Sequence, residues 1–214
     1  MRGVLISVEG LDSSGKTTQL ALLKERLEAE GKKVAVFKFP SYEKSYYGTL
    51  IKRYLDGEFG KVEAVSPYLI GVIYALDRLE MKDAILSELE SGSVVLLDRY
   101  VASNKAYMGA KLPHNEQNKF LLWLDELDFK KHAMPREDKV LFLEVPVSVT
   151  RELMQGKKQD IHEQNAAYLK EVWNVYMELA KQERWEVIVC VKQNKILTRE
   201  AIAEQIFKKV EALL

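Results

Sequence analysis

The stretch Gly10-Leu11-Asp12-Ser13-Ser14-Gly15-Lys16-Thr17-Thr18 sets two glycines with four residues between them and Lys-Thr directly after the second. This is the full G-x-x-x-x-G-K-[ST] pattern. Its chemistry is the capture of a nucleotide's phosphates. The glycines allow backbone shapes that turn successive N–H groups inward, and a helix starting at the lysine adds positive potential. Lys16 would reach the β- and γ-phosphates of ATP, and the Thr17 hydroxyl would hold Mg²⁺. Chance matches in a chain of this length arise on the order of once per hundred proteins. Correct placement between a strand and a helix lowers that rate further.

A second acidic group ends the apolar run Val94-Val95-Leu96-Leu97-Asp98. Alone, such an aspartate only caps a turn. Beside a complete phosphate loop it reads as the carboxylate that holds Mg²⁺, directly or through water. Arg99 follows at the same strand end, where a guanidinium suits a second phosphate or the charge of a transferring group. Arg78, next to Asp77, is a further candidate, although in isolation an ordinary ion pair explains it.

Elements must hold these groups in place. Short β-rich runs at Val4–Val8, Val34–Phe39, Val94–Asp98, Val140–Val145 and Glu186–Val191 alternate with segments of helical period. Most of the runs are continuously apolar, as strands buried on both faces are. Leu20, Leu23 and Leu27 share one helical face, and Gly31 follows as a stop. Ser66-Pro67 reads as a helix start, and the apolar spacing after it predicts one long helix over Pro67–Glu90. Thr198 is placed to cap a last helix carrying Ile202, Ile206, Val210 and Leu213. The fold class expected is α/β, a five-stranded, mainly parallel sheet flanked by helices. The 214 residues suit one domain spanning 1–214.

Composition excludes some functions. Lysine plus arginine number 32, as do aspartate plus glutamate, so no basic excess points to nucleic acid. The single cysteine, Cys190, cannot form an internal disulfide and sits in an apolar run, which favours a reducing compartment. The apolar N-terminal stretch is too short for a signal peptide or a membrane span. A cytoplasmic protein without membrane contact is expected.

Taken together, Val8–Gln19, Phe39-Pro40-Ser41-Tyr42, Tyr74-Ala75-Leu76-Asp77-Arg78, Asp98–Tyr107 and Val140–Pro146 resemble the thymidylate kinase family of P-loop nucleoside monophosphate kinases. The resemblance runs over nearly the whole chain. Asp-Arg-Tyr followed by Asn104 and Tyr107 is its most specific part. It implies ATP and dTMP as substrates, Mg²⁺ as cofactor, direct in-line transfer giving dTDP, and a homodimer. It also implies roles. Asp12 would touch the sugar 3′-hydroxyl. Arg99 and the Phe39–Tyr42 turn would hold the acceptor phosphate. Tyr74 would stack on the thymine ring, Arg78 and Asn104 would bond its edge, and Tyr107 would disfavour a ribose.

The chain departs from the family pattern at Ser41, where a basic residue is common, and at Lys105, where a small residue is common. The variable positions of the phosphate loop carry no arginine. Members of that kind take the missing cation from a mobile lid, here around residues 151–163, which offers Arg151, Lys157 and Lys158 as catalytic candidates. Two rival readings stay open at this point: a kinase for another acceptor, and a nucleotide switch or ATPase. The sequence lacks the guanine-reading Asn-Lys-x-Asp element, since Asn104-Lys105-Ala106-Tyr107 has no aspartate.

Overall fold

The structure is a computed structural model that describes residues 2–156 and 159–214. The lid candidates Lys157 and Lys158 lie outside the described residues. Strand β1 (Val4–Glu9) runs into the phosphate loop and helix α1 (Lys16–Ala29), followed by β2 (Val34–Lys38). Three helices come next: α2 (Tyr46–Leu55), α3 (Pro67–Glu80) and α4 (Lys82–Glu90). Strand β3 (Val94–Asp98) leads to α5 (Val101–Gly109), α6 (His114–Asp125) and a π turn (Glu126–Lys131). After β4 (Lys139–Glu144) come α7 (Val147–Leu153), α8 (Ala166–Gln182) and β5 (Glu186–Val189). A hairpin of β6 (Val191–Lys192) and β7 (Lys195–Ile196) precedes α9 (Arg199–Val210).

The first five strands form one parallel sheet, as the apolar runs predict, and their order is β2-β3-β1-β4-β5. Alternation along each strand divides the core into two layers. Ile6 and Val8 face α1 and α9, among Leu20, Leu23, Leu27, Ile202 and Ile206. Leu5, Val95 and Leu97 face the other way, against Phe39, Ile85, Leu89 and Tyr100. Full burial of each such side chain contributes about 1.5–3 kcal/mol. Register pairs Val8 with Asp98, and Lys38 with Asp98, so the phosphate loop and Asp98 leave the sheet at one carboxyl edge.

Several boundaries differ from the sequence reading. The expected helix over Pro67–Glu90 is two helices broken at Met81, whose amide bonds back to the Arg78 carbonyl at 3.1 Å. No proline or glycine marks the break. It arises because α3 packs on α5 while α4 packs on β3, and one straight axis cannot serve both. Ser66 starts α3 with Pro67 behind it, but its side chain makes no capping bond. The last strand of the sheet ends at Val189, and Val191 opens the small hairpin instead. Gln193 and Asn194 take φ of 50° and 58° in its two-residue turn, the shape such hairpins require. Thr198 caps α9 as expected, accepting from the Ala201 amide at 3.2 Å. Among the described residues no helix is long and apolar enough to cross a membrane.

Candidate active site

The phosphate loop has the conformation its glycines allow. Gly10 has φ 145°, and a Cβ there would lie 2.9 Å from Ser14 Oγ and 3.0 Å from the Leu143 carbonyl oxygen. Gly15, at φ 95°, opens α1 and aims its N-terminus into the loop. Lys16 is buried, and its Nζ donates to the Gly10 and Leu11 carbonyls at 3.1 and 2.7 Å. Burial, together with the nearby Arg99 cation, pushes the Lys16 amine down to about 8. The free enzyme must keep that amine protonated to take up ATP. Above pH about 8, kcat/KM for ATP is therefore expected to fall with a one-proton slope, and a pH–rate series at saturating acceptor measures this.

Thr17 Oγ1 donates to Asp98 Oδ2 at 2.9 Å, which brings together the two groups named for Mg²⁺. Both offer oxygen, the donor type that Mg²⁺ requires. Thr17 and Thr18 are exposed toward the cleft beside the loop.

Arg99 is the hub of the site, and its backbone is strained, with φ 69°. Its Nη2 donates to Asp12 Oδ1 at 2.6 Å. Its Nη1 donates to the Gly10 carbonyl at 2.9 Å, Ser103 Oγ at 3.0 Å and Tyr176 Oη at 3.3 Å. Beneath it lies Glu9, wholly unexposed, accepting from the Tyr100 amide at 2.7 Å, Ser103 Oγ at 2.5 Å and Tyr176 Oη at 3.2 Å. Burial raises the Glu9 carboxyl, opposed in part by the Ser103 hydrogen bond and the Arg99 charge. Burial also acts to raise Asp12, but Arg99, Lys16 and the Tyr107 hydroxyl outweigh it and hold that carboxyl far below its usual range. Tyr107 Oη donates to Asp12 Oδ2 at 2.7 Å.

A cavity opens from this hub. Phe39, Tyr42, Tyr74, Arg78, Arg99, Asn104 and Tyr107 all line it, with Asp12 at its mouth, so the structure brings every acceptor-side candidate together. Arg78 is buried, its Nε and Nη2 donating to Asp128 at 3.0 and 2.7 Å. Asn104 Nδ2 donates to the Gly71 carbonyl at 3.0 Å, while its Oδ1 is buried without a partner. The turn at Ser41 is fixed by Asp77, which accepts from the Ser41 amide at 3.0 Å. The Ser41 hydroxyl itself donates to the Lys38 carbonyl at 3.0 Å. Lys105 points away from the cavity into ion pairs with Asp125 at 2.6 Å and Glu183 at 2.8 Å, so its role is in packing α5.

The sequence reading named the 151–163 span as a lid but gave His162 no role, and it missed the walls of the second cleft. Asp160 and His162 line the cavity. The His162 ring stacks on Tyr107 at 5.4 Å and bonds Tyr54 Oη at 2.9 Å, and the Ile161 amide bonds the Leu55 carbonyl at 3.2 Å. Burial drives His162 down to about 3, so it is neutral at working pH. A larger, more open cleft runs from the phosphate loop past Leu153, Ile196, Thr198, Arg199 and Ile202. Gln19 links the two sides, its Nε2 donating to the Arg199 carbonyl at 3.1 Å. Only spatial neighbours identify these residues, because no local motif marks them. Arg151 is exposed on α7 and lines neither cleft.

Comparison with known proteins agrees with this geometry. The family model for thymidylate kinase matches residues 8–202. Thymidylate kinase of Mycobacterium tuberculosis is 34% identical over 195 residues, covering 86% of this chain and 91% of that protein. Thymidylate kinase of Exiguobacterium sibiricum is 31% identical over 186 residues, covering 86% of this chain and 84% of its own length. The solved structure of thymidylate kinase from Candida albicans superposes with a TM-score of 0.77 at 25% identity, covering 99% of this chain and 92% of that one. With its glycine-rich loop, its acidic strand end and the residues lining the cavity all inside the matched span, the chain belongs to the thymidylate kinase family, whose members phosphorylate dTMP to dTDP.

Proposed function

We propose that the chain moves the γ-phosphoryl group of ATP onto the phosphate of dTMP by direct in-line transfer, with the donor in the open cleft and the acceptor in the cavity. One observation carries this arrangement: Asp12 and Arg99 line both spaces, so the two bound phosphates would meet at that hub. Lys16 and the loop amides hold the donor phosphates. Arg99 is placed to neutralise the charge of the group in transit. Thr17 and Asp98 would hold Mg²⁺, which supplies further neutralisation when bound. Asp12, held ionised by its cationic neighbours, is placed to orient the acceptor sugar. Tyr107, closed in by His162, crowds the sugar's other side and disfavours a 2′-hydroxyl.

Base recognition follows from donor and acceptor inventory. Arg78 can only donate, and Asn104, with one amide N–H committed to the Gly71 carbonyl, holds its buried Oδ1 as an acceptor. A donor beside an acceptor matches the 4-oxo and N3–H edge of thymine or uracil, and rejects the reversed edge of cytosine. Tyr74 supplies the stacking surface. Residues 151–163 serve as a lid that closes over the acceptor and excludes water, with Arg151, Lys157 and Lys158 as the available cations. Leu69 on α3 and Leu122 on α6, 68% and 62% exposed, support pairing with a second copy as a homodimer.

An ADP-release assay with ATP, Mg²⁺ and a panel of dTMP, dUMP, UMP, dCMP, AMP and GMP tests the reading. Strong turnover is expected with dTMP, weaker with dUMP, and background with the rest. Equal rates with dCMP would remove the roles given to Arg78 and Asn104. ADP release without any acceptor would favour an ATPase.

A further inference from the structure

We infer that Asp128, presented by the π turn between α6 and β4, is a positioning residue that sets the enzyme's choice of acceptor base by fixing the orientation of Arg78. The inference rests on the base-reading role given above to Arg78 and Asn104. The side chains of Arg78 and Asp128 are 2% and 0% exposed. Two parallel hydrogen bonds, Nε to Oδ1 at 3.0 Å and Nη2 to Oδ2 at 2.7 Å, set the plane of the guanidinium and leave Nη1 as the remaining nitrogen. An ion pair buried this deeply adds little stability over apolar side chains of the same volume. What it does add is a single direction for a planar donor.

Among the described residues, Asp128 is the carboxylate that hydrogen-bonds Arg78. Asp77, the neighbour in sequence, accepts from the Ser41 amide and belongs to the acceptor-phosphate turn. The backbone also fixes Asp128. The turn closes with a bond from the His132 amide to the Leu127 carbonyl at 2.9 Å, the five-residue spacing of a π turn, and the Met134 amide bonds the Asp128 carbonyl at 2.9 Å. Such turns are rare and recur at functional sites. Lys82, the first residue of α4, donates to the His132 carbonyl at 2.6 Å, tying the end of the π turn to the junction where α3 stops. The turn and the last helical turn of α3, which carries Arg78, are thus one unit.

This unit matters because the base edge is read by two groups in register. Asn104 is locked by Gly71, so its acceptor cannot follow a displaced base. If Arg78 tilts, the donor and acceptor no longer match one imide edge, and dTMP loses its advantage. Asp128→Asn keeps the size and removes the second strong acceptor. In that variant KM for dTMP is expected to rise about tenfold or more, while KM for ATP stays within about twofold. The dTMP:dCMP ratio of kcat/KM should fall in parallel. Because Asp128 acts through Arg78, the Arg78→Gln/Asp128→Asn double variant should match Arg78→Gln alone.

Unchanged KM for dTMP and unchanged selectivity in Asp128→Asn, with Arg78→Gln impaired, overturns this proposal alone. An unimpaired Arg78→Gln overturns the base-reading role and this proposal with it. If Asp128→Asn fails to fold, Arg78→Lys decides the matter, since it keeps a cation beside Asp128 and removes only the fork. The same dTMP-selective loss is expected there, and a wild-type KM for dTMP overturns the proposal.

Discussion

Lys16→Ala is expected to lower kcat by about 10³-fold while leaving the fold intact. The lysine is buried at the loop, and the Gly10 and Leu11 carbonyls hold its amine there, where the proposed donor site lies. During transfer, negative charge spreads over the moving group, and a fixed cation in a water-poor site is worth most at that moment. The loss should therefore appear more in kcat than in KM for ATP. Lys16 opens α1, but its side-chain hydrogen bonds are confined to the loop, and alanine keeps the helical backbone. A coupled ADP-release assay with dTMP, beside a thermal unfolding curve, checks both halves. Full activity in the variant would defeat the placement of ATP at this loop. An unfolded variant would show instead that the loop needs its lysine to form.

Removing Arg99 is expected to lower kcat/KM by about 10³-fold or more, and the choice of replacement separates catalysis from strain. Arg99 holds φ 69°, a left-handed shape that costs an L-residue about 1–2 kcal/mol. Glycine adopts it freely. Arg99→Gly and Arg99→Ala should therefore be equally inactive, yet the glycine variant should be the more stable by about 1 kcal/mol. Without the guanidinium, Asp12 also loses the strongest influence holding its carboxyl low, so its titration should move upward. Chemical denaturation of both variants, with ADP release at saturating dTMP, makes the comparison. Equal stability would mean that the strain is relieved by something other than the side chain's absence. Retained activity would remove Arg99 from the transfer step.

Much of this molecule is local in sequence, and that part was legible. The phosphate loop is eight consecutive residues whose spacing alone states its chemistry. Strands buried on both faces announce themselves as unbroken apolar runs, which is why the five strands of the sheet were found with only their ends misplaced. The capping Thr198 and the stop at Gly31 are equally local. The candidate acceptor-side residues were legible for another reason: Asp98–Tyr107 lies on one strand end and one helix, so a short motif supplies a third of the residues that line the cavity. The rest depended on contacts between distant residues. Pro67–Glu90 read as one helix because periodicity reports a face, and only the different partners of α3 and α4 require the break at Met81. Taken in isolation, Arg78 read as a surface ion pair, because its partner Asp128 is fifty residues away in a π turn that no propensity marks. His162 and the walls formed by Leu153, Ile196 and Arg199 became visible only when the chain folded back over the sheet edge. The sequence by itself determined the alternation of elements and the chemistry of the loop, since both are written in neighbouring residues. Tertiary structure alone decided which side chains face one another across the site, because that depends on the distances packing creates between residues far apart in the chain.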